Sequence, residues 1–122
     1  MLDISQNNKI IVTRGDTFSV PLFINRGTEL KPLRYTLKEN DELYLAIMEP
    51  NQPFECALIK KVYSYENLNK YGDVLIEIEH DDTRCLEPGK YYYQVKARLY
   101  DIEKDKFEVN TVVSKTEFWI ED

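Results

Sequence analysis

Along most of the chain, apolar and other residues alternate with a period of two. Phe18, Val20, Leu22 and Ile24 are interleaved with Thr17, Ser19, Pro21 and Phe23. Leu43, Leu45 and Ile47 alternate with Tyr44, Ala46 and Met48, and a weaker set follows at Cys56, Leu58 and Val62. Val74, Ile76 and Ile78 form the next run, and Tyr91, Tyr93, Val95, Ala97 and Leu99 form the longest. Phe107, Val109, Thr111 and Val113 come after it, and Phe118 and Ile120 complete the pattern. Side chains of a strand point alternately to its two faces, so each run predicts a strand with one face on a core and the other in water.

Turn chemistry separates the runs: Arg26-Gly27-Thr28, Glu49-Pro50-Asn51-Gln52-Pro53, Tyr71-Gly72-Asp73 and Glu87-Pro88-Gly89-Lys90. The charged stretch Asp101 to Lys106 reads as a hairpin between two good strands. No segment holds a helical period; Tyr65 to Tyr71 and Leu37 to Asn40 offer a turn or two. The expected fold is all-β, with about eight antiparallel strands in two packed sheets. Pro21 cannot donate to a ladder, so its strand is an edge or is bulged. Lys60, Lys61, Lys96 and Lys115 lie in or beside strands, where outward lysines discourage stray pairing. Residues 1–9 read as a flexible polar arm and 10–122 as one sandwich domain.

Composition narrows the function classes. The 122 residues are 43% hydrophobic, which suits a globular domain with one core. A net charge of -6, with basic residues scattered, argues against nucleic acid as partner. No apolar run approaches a membrane span, and the first residues have no signal-peptide core; the protein is expected to be made in the cytoplasm. Cys56 and Cys85 make no disulfide framework and read as free thiols.

Candidate chemistry is sparse. Arg14-Gly15-Asp16 matches a cell-adhesion tripeptide, but Gly-Asp recurs at Gly72-Asp73, again just before a strand. The pair therefore reads as turn punctuation, in which Gly supplies positive φ and Asp bonds its own backbone. Asp16, Asp41, Asp73, Asp101 and the pair Asp81-Asp82 read as solvated turn carboxylates or caps, since no calcium-loop spacing appears. His80 is the sole histidine, so no multi-histidine metal site or conventional triad is supported, and no cofactor or enzyme activity is expected. Tyrosine is abundant, nine against one tryptophan. Tyr44, Tyr92, Tyr100 and Trp119 are placed on outward faces as contact candidates. Tyr91 or Tyr93 is a candidate for the hydrogen bond of a tyrosine corner after Pro88-Gly89.

That corner has a fibronectin type III flavour, but the phase differs: there the ring would fall on Tyr92 and turn Gln94, Lys96 and Arg98 inward. A broader likeness rests on Arg14 to Thr17, Asp41 to Leu45, Asp82 to Tyr93 and Thr111 to Trp119, in that order. The chain resembles small Ig-like modules of tailed-bacteriophage virions, notably the N-terminal domain of upper baseplate proteins; Leu45 stands where that pattern has an aromatic. The resemblance implies an Ig-like antiparallel β-sandwich acting in a tail, baseplate, neck or head. Its partners would be other virion proteins, in a homo- or hetero-oligomer, and its place the virion. Longer members of that family carry further domains after this module, and with its last residue at Asp122 the chain is expected to be a stand-alone building block or adaptor. The alternative expectation is a carbohydrate- or cell-surface-binding module on the same fold.

Overall fold

A computed structural model of the chain describes residues 3–4, 9–22, 24–25 and 34–122. Its strands are β1 (Asp3–Ile4), β2 (Ile10–Thr13), β3 (Phe18–Leu22), β4 (Ile24–Asn25), β5 (Arg34–Tyr35), β6 (Glu42–Met48), β7 (Ile59–Tyr63), β8 (Val74–Ile78), β9 (Gly89–Asp101) and β10 (Lys106–Glu121). Short 3-10 turns cover Phe54–Cys56 and Tyr65–Asn67, and one helical turn, α1, covers His80–Thr83. The fold is an all-β sandwich. One layer is the five-stranded sheet β2-β10-β9-β6-β7. The other holds the ladders β3-β8 and β1-β4-β5. Leu45, Ile47, Val95 and Phe118 from the first pack in one cluster with Leu22, Ile24, Ile76 and Ile78 from the second. Each large side chain enclosed this way contributes on the order of 2 kcal/mol.

One pairing departs from the antiparallel expectation. β2 runs parallel to β10, with Ile10 opposite Phe118 and Val12 opposite Ile120. Nearly the whole domain separates these strands in sequence, so no hairpin dictates their direction. Within the segment expected to be a free arm, Asp3–Ile4 pairs with Asn25 and Ile24. The Arg26-Gly27-Thr28 turn and Phe23 lie outside the described residues, as does the rest of the arm before Lys9.

The inward sets of β8 and β9 are as the alternation predicts: Val74, Ile76, Ile78, Tyr91, Tyr93, Val95, Ala97 and Leu99 are all buried. Three runs differ. In β7 the phase is reversed: Tyr63 is buried while Val62 and Leu58 are exposed, and Cys56 sits exposed in the 3-10 turn. In β6 both faces are enclosed, Ala46 and Met48 at 0% exposure. The cause is the β6–β7 connection, which folds back across the outer face of the sheet. The Leu58 N–H donates to the Ile47 carbonyl at 2.9 Å. Lys60 donates to the Glu55 carbonyl and Lys115 to the Gln52 carbonyl, and the Lys96 ammonium stands 4.6 Å from the Phe54 ring centroid. In β10, Phe107 and Val109 face outward, yet Val113, Phe118 and Ile120 are buried. Register shifts between Thr111 and Val113, and between Val113 and Thr116, turn Val113 inward out of step and then cancel, so Phe107 and Val109 at one end and Phe118 and Ile120 at the other follow one alternation.

The lysines read as edge guards are mostly fasteners. Lys60, Lys96 and Lys115 hold the folded-back loop, and Lys61 joins the layers by bonding the Glu77 carbonyl at 2.8 Å and Asp82 at 2.6 Å. Pro21 lies opposite Leu75 in β3, which pairs with β8 alone among the described residues.

Candidate functional site

The Arg14-Gly15-Asp16 turn is fastened on all sides. Gly15 has φ +82°, and its N–H donates to the Thr83 hydroxyl at 2.9 Å. A carbonyl only accepts, so the contact of 2.6 Å between His80 and the Gly15 oxygen has Nδ1–H as donor. Arg14 pairs with Asp122 at 2.7 Å, and the Asp16 N–H closes the turn on the Thr13 carbonyl. The single histidine and the helical turn α1 thus serve as a clasp on this corner. Gly72 also has positive φ, +83°, beside buried Asp73.

Two carboxylates read as solvated are enclosed. Asp73 is 6% exposed and Asp41 2%. Asp41 collects three donors: the Tyr100 N–H at 2.9 Å, the Lys38 N–H at 2.9 Å and the Tyr35 hydroxyl. That convergence offsets its desolvation. Among the described residues no three His, Cys, Asp or Glu side chains are grouped to hold a metal. At the Pro88-Gly89 corner, Gly89 opens β9 with φ +149°, and the Tyr91 hydroxyl donates to the Glu87 carbonyl at 2.7 Å. The Tyr93 ring lies inside, and burial raises the pKa of its hydroxyl.

A cavity of about 220 Å3 lies between the layers, lined by Phe18, Val20, Leu45, Ile47, Ile76 and Phe118 among others. The lining is apolar apart from the Tyr93 phenol and Lys9.

Tyr44, Tyr92, Tyr100 and Trp119 all stand half-buried on the outer face of the five-stranded sheet. The folded-back loop runs across that face, and the register puts Tyr92 and Trp119 toward one end, Tyr44 and Tyr100 toward the other. At the first end each ring carries a lysine. Lys90 lies 5.4 Å from the Tyr92 centroid, and Lys9 lies 5.4 Å from that of Trp119. The Tyr92 hydroxyl, and after it Glu117, hold the Lys90 pKa above the ordinary lysine value. The Trp119 indole N–H is enclosed with no acceptor among the described residues.

The other end is the β9–β10 hairpin. The Tyr100 and Phe107 rings meet at 5.2 Å, tilted by 56°, and the Arg98 guanidinium lies 3.8 Å from the Phe107 centroid. Tyr100 donates to Asp105, which raises the tyrosine pKa. Around them Phe107 is 45% exposed, Val109 64% and Ile102, at the tip, 82%. Phe107 and Val109 are absent from the expected contact set because the alternation placed them inside, and Ile102 because it falls in the charged connection Asp101 to Lys106. The hairpin itself carried the missing signal. Pairing Asp101 with Lys106 puts Phe107 opposite Tyr100 and Val109 opposite Arg98, on the face already read as outward.

Comparison with family models, curated proteins and solved structures finds no match to this chain.

Proposed function

We propose that the chain is a non-enzymatic assembly module of a tailed-phage particle, working through protein–protein contacts in a tail, baseplate, neck or head. The observation that carries this reading is the β9–β10 hairpin, where Ile102, Phe107 and Val109 leave apolar surface in water beside an Arg–aromatic stack. Aromatic and arginine anchors ringed by polar groups are the usual centre of a protein interface. The sequence resemblance supplies the virion setting, with other virion proteins as partners. A net charge of -6 disfavours nucleic acid as the target. Among the described residues no helix is long and apolar enough to cross a membrane.

A sugar-binding platform fits less well. Stacking needs ring faces open to a ligand, and here Lys90 and Lys9 occupy those of Tyr92 and Trp119. The deciding experiment mixes the purified chain with the products of neighbouring genes and reads complex mass by light scattering. A stable complex is expected, and Ile102→Asp or Val109→Glu should weaken it about tenfold or more without lowering Tm. Saturable quenching of Trp119 fluorescence by saccharides, with no complex formed, would overturn the proposal.

A further inference from the structure

Resting on the reading of the hairpin as a contact surface, we propose that its partner there is a second copy of this chain, joined edge to edge along β10. Among the described residues, β2 pairs with β10 only from Phe118 to Glu121, and β1, which also touches β10, pairs with β4, so no strand is paired to Lys106–Thr111 on that side. The stretch is regular, since the register shifts begin only after Thr111. Its residues Lys106, Phe107, Glu108 and Val109 are all exposed. An open, regular edge is a template for another strand, and a two-fold axis makes such a contact close on itself.

Charge selects the register. With the axis through Phe107, the two Phe107 rings face each other, Lys106 meets Glu108 of the second copy, and Glu108 meets Lys106 of the second copy. Opposite charges directly across an antiparallel pair stabilise it, and so do paired aromatics. An axis through Glu108 would set two carboxylates against each other. An axis through Val109 would leave Lys106 facing Val112, whose side chain is already buried at 6% exposure. Only the Phe107 register satisfies both charges. Tyr100 and Arg98 then flank the ring pair from both copies, because each already contacts its own Phe107. Asp105, with φ +50°, ends the ladder at the turn. Lys106 alone would repel a strand edge; self-pairing turns it into an ion-pair partner.

The test is a charge swap divided between two proteins. Lys106→Glu and Glu108→Lys each set like charges across the axis, so each alone should self-associate about tenfold or more weakly than wild type in analytical ultracentrifugation. Mixed in equal amounts they should regain wild-type association. One protein then carries carboxylates at both positions and the other ammonium groups at both, so opposite charges meet at each contact. Glu103→Lys, the same charge change at the hairpin tip, should not rescue Lys106→Glu. A wild-type chain that stays monomeric at its solubility limit, single variants that associate normally, or a mixture that regains nothing would each overturn the inference. If the chain still bound a neighbouring-gene product through Ile102 and Val109 in those cases, the assembly reading would stand while self-pairing fell.

Discussion

Asp41 shows how one side chain ties together parts of the chain that sequence keeps apart. Its carboxylate sits 2% exposed between a turn, at Lys38, and a strand far along the chain, at Tyr100. Asp41→Ala would remove the carboxylate that accepts from the Tyr100 and Lys38 N–H groups and from the Tyr35 hydroxyl. We expect a loss of about 2–4 kcal/mol, read as a lower urea midpoint at unchanged m. Asp16→Ala, whose side chain is exposed on a turn closed by backbone, should cost a fraction of that. Equal losses for the two would show that burial does not separate these carboxylates. Gly15 and His80 make the same point for the adhesion-like tripeptide. Positive φ, a threonine hydroxyl and an imidazole N–H account for the residues without a receptor.

At the level of elements, the folded-back β6–β7 connection decides what the outer face of the sheet presents. It encloses Ala46 and Met48, and three lysines from β7, β9 and β10 hold it in place. Phe54 is its only aromatic ring, stacked under Lys96. Phe54→Ala should loosen this strap while the strands beneath stay paired. The Leu58 amide, bonded to the Ile47 carbonyl, should then exchange with deuterium tenfold or more faster, by about 1.4 kcal/mol of local opening, while Val95 keeps its protection. Uniformly faster exchange would mean that the loop and the sheet open as one unit. The irregular stretch of β10 is the other deciding element. It lets one strand bury Val113 together with Phe118 and Ile120, positions of opposite parity, which an unbroken alternation cannot do.

For the whole molecule, enclosure of phenols predicts a response to alkali. Burial raises the pKa of Tyr63 and Tyr93 above 10.0 in the fold, while in the unfolded chain each ionises near that value. The folded state therefore holds its protons longer, and the stability this represents is fully present below pH 10 and lost as pH climbs through the folded values. Tyrosinate absorbance should rise in two stages, with Tyr63 and Tyr93 ionising only in the later one, as Tm falls. A single step with all nine tyrosines titrating together would contradict the enclosure of these rings. The sequence by itself determined the strand period, the glycine-bearing corners and the inward sets of β8 and β9, because turn sterics and two-fold patterning act over a few residues. Tertiary structure alone decided which face β7 buries, where β10 changes phase, that β2 lies parallel to β10, and that Asp41 is enclosed. Each of these depends on a partner distant along the chain, and alternation tells two faces apart without saying what will cover either of them.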